Sequence, residues 1–254
     1  MEEFLHIIQK SPLFAGTSDG EILTMLRCLG AKEQCLGRGE HLLENGEAVP
    51  AIGLLLHGNA LVTQEDFWGN RNLVTKLEPP DTFAEAFACS EAVATVSVVA
   101  ETDCRVLWLP AGRLLSVCSS ACQHHNRVIR NLLSGLAAKN LQMSGKITHI
   151  SQRSTREKIL SYLSSQACNH GKSEFFIPFD RQQMADYLSV ERTALSAELS
   201  KLKKENIIDY KKNHFLLRQE VAKHMLYWDV GQGVPDLADM KMRQKNYHEL
   251  QEEQ

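Results

Sequence analysis

The sequence lacks the features that would send the chain into or across a membrane. It begins Met-Glu-Glu-Phe-Leu-His, without the basic start and apolar run of a secretory signal peptide. No apolar stretch reaches the roughly 20 residues that a membrane-spanning helix needs. We therefore expect a cytoplasmic protein without a membrane partner.

Paired cysteines and a strong net charge are also missing. The seven cysteines are scattered and form no Cys-x-x-Cys pair, which argues against a disulfide framework. We predict no metal site. The net charge of the 254 residues is -3, so the composition alone does not indicate nucleic-acid binding. Any DNA-binding surface has to be local.

The N-terminal half changes from helical to strand periodicity. Leu5, Ile7 and Ile8 show helical spacing, as do the apolar residues of 22–29. Over 37–109, short apolar runs alternate with turn residues at intervals of roughly ten residues, which is typical of a small antiparallel barrel or sandwich. We predict an effector-sensing domain over 1–120, in which helices flank a jelly-roll β-barrel.

A long helical stretch without proline follows over 121–150. Its apolar residues alternate steps of four and three, the spacing of a coiled-coil seam. Asn140 takes an a position, where a buried asparagine favours pairing with its own copy across a two-fold axis. Packing of this helix on its own barrel is the alternative. The predicted dimer seam consists of Ile129, Leu133, Leu136, Asn140, Met143 and Ile147.

A second domain, over 151–220, contains a helix-turn-helix pattern. Ser154 and Glu157 form a capping box at its start. Asp180 then caps another helix, and Ser189-Val190 makes a short turn. The next helix has an apolar side, which leaves the residues at its N-terminal end free for base contact. The residues of that apolar side are Leu195, Leu199 and Leu202.

A β-hairpin, the wing, is predicted next. Its strands are 207–210 and 214–217, and the polar turn Lys211-Lys212-Asn213 joins them. Over 151–217 there are eleven Lys or Arg and eight Asp or Glu, so this half is about three charges positive. Because phosphates bind cationic side chains, the charge asymmetry favours double-stranded DNA as a partner.

These elements, in this order, resemble the CRP/FNR family of transcription regulators over 11–217. The most specific segments are Ser11-Pro12-Leu13-Phe14, 83–88 and 181–202. The resemblance implies an α+β fold with a cyclic-nucleotide-binding-like barrel, a dimerisation helix and a winged helix-turn-helix. It implies a homodimer that binds an inverted-repeat operator and is not an enzyme. If the protein is an activator, the resemblance also implies a contact with RNA polymerase.

The resemblance also assigns DNA contacts. Arg192 would contact guanine, and Thr193 and Ser196 would lie on the base-contacting face. The chain departs from the family at Ser189, where glycine is usual, and at Ala197, where a second arginine is common. The second departure leaves the operator sequence open. The predicted DNA-binding residues are Arg181, Gln182, Glu191, Arg192, Thr193, Ser196, Lys211 and Lys212.

The ligand-binding positions of the family are altered in this chain. Cyclic-nucleotide-binding members hold the ligand with a Gly-Glu pair and an Arg-Ser pair, which match Ala84-Glu85 and Ala94-Thr95 here. Over 77–104 there is no Lys or Arg, and a buried phosphate needs a cationic partner. We therefore expect a small organic effector other than cyclic AMP, contacted by Glu85, Ala94, Thr95 and Gln142. Alternatively, Glu85 is a structural carboxylate that accepts from backbone N–H groups.

Other kinds of sensor stay open, and the cofactor is unknown. Cys28 and Cys35 alone precede the barrel, so the four thiolate ligands of an iron–sulfur cluster are not evident. Cys118 and Cys122, one helical turn apart, are either a redox or metal pair or small buried hydrophobes. The conceivable haem ligands are His57, His124 and His125.

Two further alternatives are weaker. A cupin-like metalloenzyme would need a His-x-His pair in the strands, which the sequence does not contain. A cyclic-nucleotide-binding module that regulates an attached enzyme would need a catalytic domain after the barrel. The C-terminal tail, 221–254, has no functional interpretation.

Overall fold

The computed structural model describes residues 2–65, 67–69, 71–116 and 123–218. The predicted effector-sensing domain, 1–120, is called the sensor domain below. Its helices are α1 (Leu5–Ile8), α2 (Asp19–Leu29), α3 (Glu85–Ser90) and α4 (Ala111–Leu115). Its strands are β1 (Lys32–Leu36), β2 (His41–Leu43), β3 (Ala51–His57), β4 (Ala60–Glu65), β5 (Arg71–Leu77), β6 (Thr82–Phe83), β7 (Ser97–Ala100) and β8 (Cys104–Pro110). Then come α5 (Gln123–Ile150), α6 (Thr155–His170), β9 (Glu174–Phe176), α7 (Arg181–Leu188), α8 (Arg192–Lys204), β10 (Ile208–Lys211) and β11 (His214–Leu217).

Two four-stranded antiparallel sheets make up the N-terminal domain. Their strand orders are β1-β8-β3-β6 and β2-β7-β4-β5. Apolar side chains from both sheets, from α2 and from the start of α5 form one core. The predicted α+β class and jelly-roll arrangement are confirmed, although the two sheets do not close into a complete barrel.

A glycine allows two aromatic rings to pack inside this domain. A Cβ atom at Gly53 would lie 2.2 Å from Cζ of Phe83, so any larger residue at position 53 would displace that ring. The Phe83 ring meets Trp108 of β8 edge to face, with 5.3 Å between the ring centroids. The close approach of β3 and β6 therefore depends on Gly53.

The segment between β6 and β7 differs from the simple strand pattern of its sequence. Branched residues over 93–100 favour one strand, yet only Ser97–Ala100 pairs with its neighbours and Val93 makes an isolated bridge to Ala48. Ahead of it, Ala84 adopts φ 66° and starts α3. A left-handed residue reverses the chain locally, which periodicity does not reveal.

The long helix α5 extends over 28 residues from Gln123 to Ile150, close to the predicted 121–150. Near its start, Asn131 Nδ2 donates to the backbone oxygens of Leu13 and Ala15, at 3.0 Å each. Val128 and Leu132 are buried in the sensor core. One side of α5 therefore packs on its own domain, as in the alternative that the sequence left open.

The two helix caps predicted for the C-terminal part of the chain are present. Ser154 accepts from the backbone N–H of Glu157 at 3.2 Å, and Asp180 Oδ1 accepts from that of Gln183 at 2.8 Å, so both helices have the expected caps. The strands of the wing, β10 and β11, pair in register from 208↔217 to 211↔214. A third strand, β9, was not predicted; it pairs with β11.

Candidate nucleic-acid interface and effector site

Helix α8 presents its N-terminal end to solvent because its apolar side is fully buried. Leu195, Leu199 and Leu202 have no exposed surface. Arg192 and Thr193 are exposed, and Ser196 is half-buried. Arg192 has no hydrogen-bond or ion-pair partner among the described residues, so its guanidinium is available to a ligand. The geometry is that of a helix that can enter a DNA groove.

The turn between α7 and α8 is held by a lysine from α6. Lys158 Nζ donates to the backbone oxygens of Leu188 and Ser189, both at 3.3 Å. These carbonyls end α7, where a cation is favourable. Ser189 adopts φ 52° and ψ 57°, the left-handed conformation in which glycine is strain-free. Crossing of the two helices is close because Ala185 is small and fully buried.

The other predicted DNA-binding residues lie around this helix end. Lys211 and Lys212 are exposed on the wing. Gln182 is exposed, and its amide donates to Asp186 Oδ1 at 2.8 Å. Glu191 is exposed at the N-cap position of α8. The structure thus places α8 and the wing lysines on surfaces open to solvent.

Arg181 differs from the rest of the set because it makes contacts within the protein. Its guanidinium lies 4.9 Å from the ring centroid of Tyr210 and 5.8 Å from that of Phe215. Nη2 also donates to the backbone oxygen of Lys212 at 3.4 Å. Burial lowers the pKa of Arg181. This side chain therefore joins α7 to the wing.

In the sensor domain, Glu85 contacts a lysine of the central helix. The side chain of Glu85 is 7% exposed, and its Oε1 lies 2.6 Å from Nζ of Lys139. Lys139 also donates to the backbone oxygen of Thr82 at 2.5 Å, and the Thr82 hydroxyl donates to Glu85. Instead of accepting from backbone N–H groups, the carboxylate is thus paired with an ammonium and a hydroxyl. A cation is present at the site after all, supplied from outside 77–104.

The other predicted effector residues differ in their exposure to solvent. Ala94 is buried in the core, whereas Thr95 and Gln142 are exposed. The residue of the central helix that contacts Glu85 is Lys139, three residues before Gln142, and the predicted contact of Gln142 with an effector stays a prediction. The sequence signal was available, since positions 139, 142 and 146 share one helical face.

Only some of the residues considered for a haem, redox or metal sensor lie within the described part of the chain. His57 is exposed on β3, and His125 is buried with no hydrogen-bond partner for either ring nitrogen among the described residues. Cys118, Cys122 and the tail over 221–254 lie outside the described residues, as does the side chain of His124. Within the described ranges, no group of three or more His, Cys, Asp or Glu is placed to hold a metal ion. In the same ranges no helix is both long and apolar enough to cross a bilayer.

The predicted seam of α5 is exposed along much of its length. Leu133 is 62% exposed, Met143 39% and Ile147 57%, and Asn140 is also exposed. Ile129 and Leu136 are half-buried, and Leu136 packs partly on the sensor core. The helix therefore has one side that packs within the chain and an adjacent apolar side that faces solvent.

A buried lysine connects the sensor domain, α5 and the DNA-binding domain. Lys146 is 4% exposed, and its Nζ donates to Leu73 O at 2.6 Å and to Asn72 Oδ1 at 2.9 Å. The same ammonium lies 4.9 Å from the ring centroid of Tyr187 in α7. Desolvation by burial lowers the pKa of Lys146 to about 8. No periodicity in the sequence pointed to this contact.

Strand β5 is packed into the core of the DNA-binding domain. Leu73 is 2% exposed and belongs to the same cluster as the buried residues of α6, α7 and α8. Gln183 of α7 donates to Glu101, whose other carboxylate oxygen lies 2.8 Å from Lys76 Nζ. The position of the helix-turn-helix is therefore fixed by apolar and polar contacts with the sensor domain.

Two family models match this sequence. The cyclic nucleotide-binding domain matches residues 33–121. The Crp-like helix-turn-helix domain matches residues 157–222. A comparison with curated proteins finds no match.

Several solved structures share the fold. FixK2 from Bradyrhizobium japonicum is 17% identical, with a TM-score of 0.59 and coverage of 80% of this chain and 99% of FixK2. CprK complexed with OCPA is 16% identical, with a TM-score of 0.64 and coverage of 79% and 92%. The c-di-GMP-responsive global regulator CLP from Xanthomonas campestris is 13% identical, with a TM-score of 0.63 and coverage of 79% and 99%. At these identities the likeness shows the fold.

The fold, the exposed N-terminal end of α8 and the matching models define a class of protein. It is a transcription regulator in which a cyclic-nucleotide-binding-like domain precedes a helix-turn-helix. Within that class, the chain belongs to the CRP/FNR family.

Lys146 leads to a prediction about stability and pH. Its pKa is about 8 in the folded chain. In the unfolded chain it is about 10.4. Between these values the unfolded state binds more protons, so the free energy of unfolding rises with pH. From about pH 8 to about pH 9.5, wild type should gain about 1.5 kcal/mol relative to Lys146→Met.

Urea unfolding at a series of pH values measures this difference. Lys172→Met, at an exposed lysine, is the control and should follow the wild-type curve. Parallel curves for wild type and Lys146→Met would show that Lys146 does not titrate in this range.

Proposed function

We propose that this chain controls transcription as a homodimer that binds an inverted-repeat operator, under the control of an effector in its sensor domain. The observation that carries the proposal is the exposed N-terminal end of α8, with an unpaired Arg192 above three fully buried leucines. The exposed wing lysines support it because they add phosphate contacts beside that helix. Activation would require a further contact with RNA polymerase.

The exposed side of α5 supports the homodimer. Leu133 and Ile147 are more than half exposed, although both are apolar and stand at seam positions. A second copy of the same helix covers such a side and brings the two Asn140 side chains together. Two α8 helices then contact successive major grooves on one face of the DNA.

The pairing of Glu85 with Lys139 bears on the effector. The ion pair is 2.6 Å long and neutral overall, so a cyclic phosphate would bring an uncompensated charge to a buried site. We infer an effector other than cyclic AMP, one able to replace or bridge this pair. Glu85, Ala94, Thr95 and Gln142 remain its proposed contacts, and Lys139 joins them.

Helix α5 gives the effector a route to the DNA-binding domain. Lys139 contacts the sensor site, and Lys146, about 10 Å farther along the same helix, contacts α7 through Tyr187. An effector that binds better to one arrangement of α5 shifts the population toward it. The same shift moves α7, which contacts this helix through Lys146, and it moves α8 as well because α7 and α8 share one core with Leu73 of β5.

Arg192 provides the direct test of DNA recognition. A guanidinium at this position can contact O6 and N7 of guanine, and each such bidentate contact contributes about 1–3 kcal/mol to discrimination. Arg192→Ala should therefore weaken the free energy of binding to the operator by about 1–3 kcal/mol per lost contact. The same variant should retain most of its affinity for scrambled DNA. Binding isotherms on both duplexes measure the difference.

The wing lysines are the control for this test. Lys211→Ala or Lys212→Ala should weaken binding to all sequences alike. Each lost phosphate contact should also reduce the slope of log K against log salt concentration by about 0.9. Equal losses on both duplexes for Arg192→Ala would show that α8 is not the recognition helix.

The dimer is tested on the exposed side of α5. Leu133→Glu combined with Ile147→Glu places like charges at buried positions of a paired helix and should yield a monomer. Operator affinity should fall by about 100-fold, because two linked half-sites bind far more tightly than one. Sedimentation velocity and a mobility shift assay measure the two effects.

Leu141→Glu is the matched control for the dimer. Leu141 lies on the same helix and is 75% exposed, but it stands outside the seam. This variant should stay dimeric. A double variant that also stays dimeric would contradict the proposed seam.

Phosphate-bearing ligands test the effector site. Cyclic AMP and cyclic di-GMP, each at about 1 mM, should leave the melting temperature of the wild type unchanged, since only a ligand that binds the folded state raises it. Glu85→Gln leaves the Lys139 ammonium without a carboxylate partner, so any stabilisation by these ligands should be larger in that variant. A saturable shift with the wild type would contradict the proposal.

A further inference from the structure

The exposed face of α8 carries one guanidinium followed by methyl groups. Arg192, Thr193, Ala194 and Ala197 are exposed, and Ser196 between them is half-buried. Positions 193 and 197 are four residues apart, so their side chains lie one above the other on the same helical face. The two methyl groups in this row belong to Thr193 and Ala197, whereas Ala194 is turned about 100° around the helix from Thr193.

This face lacks the side chains that recognise adenine or cytosine. Over 192–197 there is no Asn, Gln, Asp or Glu. Farther along the helix, Glu198 is bound by Arg156 and by Lys201, each at 3.4 Å. Glu191 is exposed but lies outside the helix, at the N-cap position. The helix therefore offers a limited set of base contacts.

Base edges in the major groove match these groups selectively. An arginine binds O6 and N7 of guanine, whereas the methyl of threonine or alanine packs against the 5-methyl group of thymine. Four helical residues span about 6 Å, and successive bases are about 3.4 Å apart. The two methyl groups can therefore reach thymines no more than about two base pairs apart.

We propose that Thr193 and Ala197 are specificity-determining residues that recognise thymines through their 5-methyl groups. Each half-site then consists of one guanine, contacted by Arg192, and thymines within about two base pairs of each other. The inference rests on the proposed function, in which α8 enters the major groove. It adds the base composition of the half-site, which Arg192 alone does not determine.

Selection from a randomised duplex with the full-length protein supplies the operator. Each selected thymine is then replaced by deoxyuridine, which removes the 5-methyl group and keeps the base pair and O4. Replacement of a contacted thymine should weaken binding about fourfold per half-site, the effect expected for one buried methyl group. Replacement of thymines elsewhere in the duplex should change nothing.

Two variants of Thr193 separate the methyl group from the hydroxyl. Thr193→Ser keeps the hydroxyl and should bind the thymine and deoxyuridine operators equally at one position. Thr193→Val keeps a methyl group and should still distinguish them. Ala197→Arg should change the selected base at its position from thymine to guanine. Because both positions are exposed, unchanged melting temperatures can verify that the three variants are folded.

The failure of this inference differs from the failure of the proposed function. If deoxyuridine replaces every selected thymine without loss while Arg192→Ala still weakens binding to the operator more than binding to scrambled DNA, methyl recognition is wrong and the regulator function stands. If the selection enriches no sequence, the proposed function fails and this inference fails with it.

Discussion

Helix α5 has to bury one side against two domains and keep an adjacent side open, and the rest of the structure depends on this division. Val128 and Leu132 anchor its first half to the sensor core. Lys139 reaches Glu85, and Lys146 reaches β5 and α7. One helix therefore carries the contacts to both domains.

The two lysines of α5 experience different electrostatic environments. Lys139 has a carboxylate partner at 2.6 Å, which compensates its charge. Within the described part of the chain, the partners of Lys146 are neutral acceptors and an aromatic ring, and burial lowers its pKa to about 8. A buried charge without a counter-ion persists only where its hydrogen bonds hold it tightly.

Two left-handed residues illustrate how the chain departs from the family it resembles. Ala84 and Ser189 adopt φ values of 66° and 52°, and both stand where the family usually has glycine. The backbone geometry is thus retained without the residue that makes it strain-free. At Ser189, Lys158 compensates by binding the carbonyls of the turn. The departure at Ala197 is different, because it changes the surface offered to DNA and leaves the fold intact.

The sequence by itself determined the features that depend on near neighbours. The caps at Ser154 and Asp180, the wing hairpin and the buried side of α8 follow from hydrogen bonds and spacings within a few residues, and the structure agrees with them. Only the tertiary structure decided the pairing of Glu85 with Lys139 and of Leu73 with Lys146. These partners are 54 and 73 residues apart in the chain, and periodicity cannot specify which charged side chain ends beside which buried group. That choice is made by the packing of whole elements, which brings distant residues together after each has formed locally.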